Sequence, residues 1–312
     1  MSKPIRIGTR ESRLAIWQAS EVQKHLLAHG HSSELVYIKS EGDINLTTPL
    51  YEMGVQGIFT RALDIALINN QIDVAVHSMK DVPTQLPAGI VQAAVLKRGK
   101  VSDLVVFSGD RGFMDNFQSA ANIATSSIRR RAQWLHRYPN HTMHNLRGNM
   151  QTRLQKLNTE NWDGAIFAQA GLERIELRPE NSVELEWMLP APAQGAVVVV
   201  AREGDDDVLK ACKLFTDQET ALCTHVERSF LRGVLGGCST PVSALAEIKE
   251  NKVHFRANMF SPDGKHKVEI DKWRAVVESE ELGTECARHV LDNGGREIND
   301  MIREQLKKYP SA

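Results

Sequence analysis

The feature that most restricts the fold is the repeated alternation of short apolar runs with longer amphipathic stretches along the chain. An alternating run at 4–8 precedes a helical pattern, and a second helical pattern at 59–69 leads into an apolar run at 73–76. The same alternation recurs between residues 104 and 201. Strands that alternate with helices in this way predict mainly parallel sheets covered by helices, an α/β fold. The run 196–201 is apolar throughout, which predicts a buried parallel strand.

A change of pattern near residue 217 divides the predicted fold. Beyond it, one helical stretch precedes two or three antiparallel-looking strands, with turn signals at Glu250-Asn251 and at 262–264, and two further helices close the chain. We therefore predict an α/β protein of two lobes followed by a smaller C-terminal α+β domain. The predicted bounds are residues 1–98 with 196–214 for the first lobe, 99–195 for the second lobe and 217–312 for the C-terminal domain.

The chain is close to neutral, with a formal net charge of −1 over 312 residues. This balance argues against a protein that coats nucleic acid by bulk charge. Its apolar runs are too short to cross a bilayer, and its first residues do not read as a signal peptide, so we expect a cytoplasmic protein. Polar surfaces without a coiled-coil pattern favour a monomer.

The 4 cysteines are scattered along the chain, at positions 212, 223, 238 and 286. The absence of a CxxC pair argues against zinc and against a disulfide framework. Cys238 differs from the others because two glycines precede it in a loop between a helix and a strand. A thiol in such a loop beside cations has its thiolate favoured, which makes Cys238 a candidate nucleophile or attachment point. The spacing of His136, His141 and His144 fits no common ligand pattern, so no metal site is predicted.

Residues 125–153 separate charge in an unusual way. The segment contains no acidic residue, whereas a solvated surface normally mixes both signs. It opens with Thr125-Ser126-Ser127, which predicts a helix N-cap, and cations behind a cap oppose the helix dipole while the free N–H groups attract an anion. A bound polyanion would remove this electrostatic cost. The arginines of the segment are Arg129, Arg130, Arg131, Arg137, Arg147 and Arg153.

Polar residues also follow the predicted strands, at the points where open α/β sheets bind ligands. One turn brings together Ser78, Lys80 and Asp81, and a carboxylate beside a cation can transfer a proton or hold an N–H cation. Arg10 and Ser12 occupy the equivalent position after the first strand. Several separated guanidinium groups favour a ligand with many separated carboxylates over one compact phosphate.

Five motifs in register make the pattern specific. They are HSMKDVP at 77–83, TSSIRRRAQ at 125–133, LRGN with TRL at 146–149 and 152–154, LPA with QGA at 189–191 and 194–196, and GGC at 236–238. Together they closely resemble the porphobilinogen deaminase (hydroxymethylbilane synthase) family, and the resemblance extends over nearly the whole chain. It implies two lobes like type II periplasmic binding proteins and a third domain that carries the cysteine.

The resemblance implies a transferase of tetrapyrrole and haem biosynthesis. Such an enzyme joins four porphobilinogen molecules head to tail on a covalently bound dipyrromethane cofactor, releases ammonia at each step, and hydrolyses the product as linear hydroxymethylbilane. By motif, the cofactor would be attached through a thioether to Cys238. Asp81 would hold the pyrrole N–H groups and assist proton transfer, and would be the catalytic residue.

The resemblance also implies which residues bind the carboxylates of cofactor and substrate. The cofactor-binding residues would be Lys80, Ser78, Asp81, Thr125, Ser126, Ser127, Arg129, Arg130, Arg147 and Gly148. The substrate-binding residues would be Arg10, Ser12, Gln18, Phe59, Arg147, Arg153 and Arg174. Arg131 and Arg137 match no ligand-binding position and are predicted to be surface residues. The partner is porphobilinogen, with no role for nucleic acid, membrane or metal.

The chain departs from the usual family residues at several positions, chiefly in the segment 40–58 and near residue 193. They are Arg13 in place of proline, Glu41 in place of arginine, Val55-Gln56 in place of Gly-Lys, and Gln151 and Ala193 in place of glycine. These departures bear on the loop and on the link between the lobes more than on the core chemistry.

Two other classes of protein account for part of the pattern. A non-catalytic anion-binding protein of the same two-lobed fold would explain the arginines, but would need neither Asp81 nor Cys238. A protein that binds RNA or DNA would show an overall basic excess and aromatic residues among the arginines, and 125–153 contains only Trp134 and Tyr138.

Overall fold

The computed structural model describes residues 3–39, 60–234 and 240–307. Its strands are β1 (Ile5–Thr9), β2 (Ser33–Tyr37), β3 (Val74–Ser78), β4 (Ile90–Val95), β5 (Asp103–Phe107), β6 (Asn122–Ala124), β7 (Thr142–His144), β8 (Gly164–Ala168), β9 (Ser182–Glu184), β10 (Val197–Arg202), β11 (Val242–Lys249), β12 (Lys252–Phe260) and β13 (Lys267–Ala275). Its helices are α1 (Arg13–Ala28), α2 (Arg61–Ile68), α3 (Ile128–Arg137), α4 (Met150–Thr159), α5 (Gln169–Glu173), α6 (Asp206–Lys213), α7 (Gln218–Gly233), α8 (Leu282–Val290) and α9 (Arg296–Lys307). A 3-10 turn covers Met79–Asp81.

The described residues form two compact units. One contains residues 3–39, 60–99 and 194–222, and the other contains 100–193, 223–234 and 240–307. The prediction of an α/β chain with two sheet-built lobes and a smaller C-terminal domain is confirmed, because the strands form three separate sheets. The exact bounds of the three predicted domains stay a prediction.

The first sheet has the strand order β2-β1-β3-β10-β4. β1 is parallel to β2 and β3, whereas β10 is antiparallel to both β3 and β4. The prediction of a parallel strand at 196–201 is therefore wrong: Val197 pairs with Ser78 and Ala201 with Val74. An apolar run shows burial on both faces of a sheet, but burial does not determine the direction of the strand.

The second sheet repeats this arrangement with the order β7-β6-β8-β5-β9. β6 is parallel to β7 and β8, whereas β5 is antiparallel to β8 and β9. Each sheet is therefore mixed: four of its five strands run in one direction, and one strand, β10 or β5, runs against them. The prediction of mainly parallel sheets holds for the direction of the strands, but two of the four strand pairs in each sheet are antiparallel. Within each sheet the four strands that share a direction end at one edge, which we call its carboxyl edge.

Helices cover the sheets with apolar side chains. In the first sheet Val74, Val76 and Val199 pack with Ala19 and Val22 of α1. The second sheet buries both faces, because successive residues of a strand point to opposite sides. Leu104, Val106 and Phe167 pack with Leu157 of α4 on one face, and Val105, Ile123 and Ile166 pack with Trp134 and Tyr138 of α3 on the other.

The third sheet, β11-β12-β13, is antiparallel and packs against the second unit's own helix α3. Gln133 of α3 donates to the Ser243 hydroxyl at 2.9 Å. Gly264 lies so close to α3 that a Cβ there would be 2.5 Å from the Ala132 carbonyl oxygen, and its φ of +76° also favours glycine. Glu227 of α7 is fully buried and accepts the backbone N–H groups of Ala193, at 2.6 Å, and Ala246, at 2.8 Å.

A partly buried ion-pair network stabilises the first sheet at the edge opposite its carboxyl edge. Asp73 accepts hydrogen bonds from the Arg6 guanidinium at 2.7 and 3.0 Å, from the Arg6 backbone at 2.8 Å and from Arg202 at 3.1 Å. Burial by itself would raise the pKa of Asp73, but the hydrogen bonds from Arg6 and Arg202 outweigh it and lower the pKa to about 2. The network joins β1, the approach to β3 and the end of β10.

We expect Asp73→Asn to lower the free energy of unfolding by about 2 kcal/mol at pH 7. Because the folded pKa lies below the unfolded pKa of about 3.9, this stabilisation is complete above about pH 5 and is lost as the pH falls toward 2. Urea unfolding of both proteins between pH 2 and 7 measures it. The exposed pair Lys24–Glu21 provides the control, since Glu21→Gln should change stability by less than about 0.5 kcal/mol. A constant difference between wild type and Asp73→Asn across this range would contradict the assignment.

Candidate functional site

The carboxyl edge of the first sheet gathers several of the predicted site residues. β1 and β3 are parallel neighbours, with Ile7 opposite Val74 and Gly8 opposite Ala75. Arg10 follows β1, and Lys80 and Asp81 follow β3, so all three lie at the same edge. The sequence predicted ligand-binding groups after each of these two strands, and the pairing of β1 with β3 brings the two segments to one edge.

Two predicted residues at this edge contact each other directly. Gln18 of α1 is almost fully buried, and its Nε2 donates to Ser78 Oγ at 2.8 Å. Because the Ser78 hydroxyl accepts this bond, its own proton remains available to a carboxylate ligand. Ser12 caps α1 and accepts from the backbone N–H of Ala15 at 3.3 Å, so it also has a local structural role.

The segment just before the antiparallel strand β10 adds Gln194 to the edge, a residue for which the sequence predicts no role. Lys80 Nζ donates to Gln194 Oε1 at 3.3 Å, and Arg98 Nε donates to the Gln194 carbonyl at 2.8 Å. The backbone N–H of Met79 donates to the Ala196 carbonyl at 3.0 Å. Only the direction of β10 brings Gln194 here, and the sequence indicates the strand but not its direction.

Asp81 ends the 3-10 turn Met79–Asp81 and is exposed, whereas the adjacent Lys80 is half-buried. Exposure makes the Asp81 carboxylate accessible to a ligand at an edge that also carries Arg10 and Arg98. A carboxylate in such surroundings can hold an N–H group or a developing positive charge.

The second sheet presents a comparable carboxyl edge. β6, β7 and β8 are parallel, so the segments that follow them, 125–127, 145–149 and 169–174, lie at one edge. β5 runs the other way, and Asp103 at its start pairs with Ala168 at the end of β8. Asp103 therefore lies at the same edge.

Asp103 is fully buried and is shared by two arginines of the first turn of α3. Its Oδ2 accepts from Arg129 at 2.6 Å, and its Oδ1 accepts from Arg130 at 2.8 and 3.1 Å. The same two guanidinium groups also donate to backbone carbonyls through their Nη1 atoms. Arg129 donates to Leu189 at 2.7 Å, and Arg130 donates to Ile166 at 3.0 Å. Burial lowers the pKa of Arg129, and the charge of Asp103 opposes that shift. Two cations and one carboxylate leave the cluster with an excess positive charge.

The hydroxyl groups of residues 125–127 form hydrogen bonds with the backbone of neighbouring segments at this edge. Ser127 caps α3 and accepts from the Arg130 backbone N–H at 3.4 Å, which confirms the predicted N-cap. Ser126 Oγ lies against the Leu146 carbonyl and accepts from the Leu146 N–H at 3.1 Å. Thr125 Oγ1 accepts from the Ser127 N–H at 3.2 Å.

The segment between β7 and α4 holds the next predicted group. Arg147 is 3% exposed, and burial lowers its pKa. Gly148 has a φ of +113°, and a Cβ there would meet Thr152 at 2.7 Å, so the position requires glycine. Arg153 Nε donates to the Gly148 carbonyl at 2.7 Å, and Asn149 caps α4.

The other predicted residues fall in different places. Arg174 is half-buried at the end of α5, at the carboxyl edge of the second sheet, and Arg131 is exposed. Arg137 is half-buried and lies over the rings of Phe117 and Trp187, at 5.0 and 4.9 Å, so aromatic packing holds it. Phe59 and Cys238 lie outside the described residues, as do Glu41 and Val55-Gln56.

Two other kinds of feature are absent from the part of the chain that the structure describes. Among residues 3–39, 60–234 and 240–307, no helix has both the length and the apolar character needed to cross a membrane. These ranges also contain no group of three or more His, Cys, Asp and Glu side chains placed to hold a metal ion.

Known families and relatives match most of the chain. Residues 5–210 match the family model described as porphobilinogen deaminase, dipyromethane cofactor binding domain, and residues 221–292 match that of the porphobilinogen deaminase C-terminal domain. The chain is 39% identical over 301 residues to the porphobilinogen deaminase of Syntrophotalea carbinolica, with 95% of each chain covered. It is 37% identical over 307 residues to that of Desulforamulus reducens, covering 97% of this chain and 99% of the relative.

Among solved structures, the chain has a distant likeness to the BvgS VFT2 domain of Bordetella pertussis. The identity is 12% and the TM-score 0.42, with 70% of this chain and 90% of that domain covered.

We expect Asp103→Asn to lower the free energy of unfolding by about 3–5 kcal/mol, because it leaves two buried guanidinium groups without their shared negative charge. Urea unfolding at pH 7 measures the loss. Asp110→Asn is the matched control: Asp110 is an exposed aspartate of the same unit, so its substitution should cost less than about 0.5 kcal/mol. Equal stability of the two variants would contradict a structural dependence on Asp103.

Proposed function

Because the chain belongs to the porphobilinogen deaminase family, we propose that it is a hydroxymethylbilane synthase. It joins four porphobilinogen molecules head to tail on a covalently bound dipyrromethane, with loss of ammonia at each step. It then releases linear hydroxymethylbilane by hydrolysis. The reaction belongs to tetrapyrrole biosynthesis and is a group transfer.

One observation in the first unit carries the proposal. Asp81 is exposed at a carboxyl edge that also carries Arg10, Lys80 and Arg98. A substrate with carboxylate side chains and a ring that becomes positively charged needs cations for the former and a carboxylate for the latter. This edge combines both kinds of group within a few residues of two strand ends.

The second unit suits a carboxylate-rich cofactor. The Asp103, Arg129 and Arg130 cluster has an excess positive charge, and Arg129 Nε is buried without a hydrogen-bond partner among the described residues. Arg147 and Arg153 at the same edge add guanidinium groups, which bind carboxylates through paired N–H donors. The residues present therefore fit dipyrromethane.

Each residue has a definite part in this proposal. Dipyrromethane, when bound, supplies the pyrrole carbon to which the first new ring is joined. Asp81 holds the pyrrole N–H groups and stabilises the positive charge that develops on the ring as ammonia leaves. The cofactor carboxylates are bound by Ser78, Lys80, Thr125, Ser126, Ser127, Arg129, Arg130, Arg147 and the backbone at Gly148. The substrate is bound by Arg10, Ser12, Gln18, Phe59, Arg147, Arg153 and Arg174.

Cys238 is the proposed attachment point of the cofactor. The other three cysteines are buried. Burial raises the pKa of Cys212 to about 12 and that of Cys286 to about 11. Neither therefore forms an appreciable amount of thiolate at neutral pH. We propose further that the protein is cytoplasmic, since its scattered cysteines are typical of a reducing compartment. We also propose that it is a monomer, since its sequence has polar surfaces without a coiled-coil pattern.

We expect the intact mass of the purified protein to exceed the mass of the polypeptide by one dipyrromethane unit. The increment should disappear in Cys238→Ser and persist in Cys286→Ala, which removes a buried thiol of high pKa. An unmodified wild-type protein that also stays unmodified after incubation with porphobilinogen would contradict the proposed function.

We expect Asp81→Asn to reduce kcat for porphobilinogen consumption by at least about 100-fold, because the amide carries no negative charge for the transition state. KM should change much less, since the arginines that bind the carboxylates are intact. Glu11→Gln is the matched control, an exposed carboxylate near the same strand end, and its rate should stay within about threefold of wild type. A near-normal rate for Asp81→Asn would rule out this role for Asp81.

A further inference from the structure

His77 is a buried polar residue that the proposed mechanism does not use. It lies in β3 immediately before Ser78 and is 6% exposed. Its Nε2 atom is buried and has no hydrogen-bond partner among the described residues. Buried polar atoms in proteins are nearly always paired, so an unpaired one at the end of a site-forming strand calls for a functional explanation.

The strand register places His77 beside Arg10. Gly8 pairs with Ala75 in the parallel ladder of β1 and β3, and extending that register by two residues sets Arg10 opposite His77. Side chains two residues apart on a strand share a face, so His77 lies on the face of Ala75 and Gly8. Arg10 directly follows β1, and its positive charge acts on His77, so the two residues are neighbours at the carboxyl edge of the first sheet.

The face of His77 is the one opposite Ser78 and α1. The side chain of Ser78 contacts Gln18 of α1, and successive residues of a strand point to opposite sides. A Cβ at Gly8 would meet Ile72 and Leu63, so the face of His77 is the one that α2 covers. The edge thus offers polar groups on both faces of the sheet.

His77 is neutral in this setting. Burial, and to a smaller extent the positive charge of Arg10, lower its pKa to about 4. A neutral imidazole has one N–H donor and one acceptor nitrogen. It can therefore contribute a directed hydrogen bond next to the guanidinium without adding a second positive charge.

We propose that His77 is a further substrate-binding residue, which donates a hydrogen bond to a carboxylate of porphobilinogen while Arg10 supplies the opposite charge. This inference rests on the proposed function. The guanidinium attracts the carboxylate, and the imidazole, held rigidly in β3, fixes where that carboxylate lies. His77 contributes to substrate affinity and not to bond making.

The test is a pair of variants assayed as cofactor-loaded protein. His77→Leu removes the donor and also the unpaired buried nitrogen, so its melting temperature should equal or exceed that of wild type. Its KM for porphobilinogen should rise about tenfold, the effect of losing a hydrogen bond to a charged group, with kcat changed less than about threefold. His77→Gln keeps an N–H donor of similar reach, and its KM should stay within about threefold of wild type.

An unchanged KM in His77→Leu would overturn the proposal. If the melting temperature of that variant is also lower than that of wild type, His77 contributes to the stability of the fold alone. If His77→Leu does not fold, His77→Gln and the shorter His77→Asn decide the matter, because only the former reaches the ligand. Equal KM values for those two variants would also overturn the proposal.

The proposed function and the role of His77 fail in different ways. A wild-type protein that consumes no porphobilinogen would overturn the proposed function, and the role of His77 with it. A wild-type protein that carries dipyrromethane and turns over normally, beside a His77→Leu variant with the same KM, would overturn the role of His77 only.

Discussion

The carboxyl edge of the second sheet depends on one buried carboxylate. Asp103 holds Arg129 and Arg130 at distances of 2.6 to 3.1 Å, and these arginines in turn donate to the carbonyls of Leu189 and Ile166. A single charge thus fixes the starts of β5 and α3, the middle of β8 and the segment after β9. Because the protein itself holds these cations in place, a bound anion does not have to order them, and binding is less costly in entropy.

The sequence predicts the part of the site that follows from local rules. Polar residues were predicted to bind a ligand after β1 and after β3, and because these strands are parallel neighbours, both segments lie at one edge of the sheet. A hydroxyl ahead of a helix predicts an N-cap, and Ser127 is the N-cap of α3. Both inferences need only short-range patterns, and short-range patterns are what a single sequence contains.

The contacts that the sequence did not reveal join residues far apart in the chain. Nothing near Asp103 indicates that its partners lie 26 and 27 residues later, because a lone acidic residue at a strand start is also common at surfaces. Gln194 reaches Lys80 only because β10 is antiparallel to β3. An apolar run indicates that a strand is buried on both faces. Its direction depends on the connection through which the chain enters the sheet.

The route of the chain has a consequence for the order of folding during synthesis. β10 lies between β3 and β4 in the first sheet, yet its residues follow all the strands of the second sheet, β5 to β9. As the chain leaves the ribosome, the second sheet can pair completely while the first still lacks an interior strand. The sheet that is begun first is therefore completed only after the second, and until residue 202 emerges, the facing edges of β3 and β4 remain open to wrong pairing.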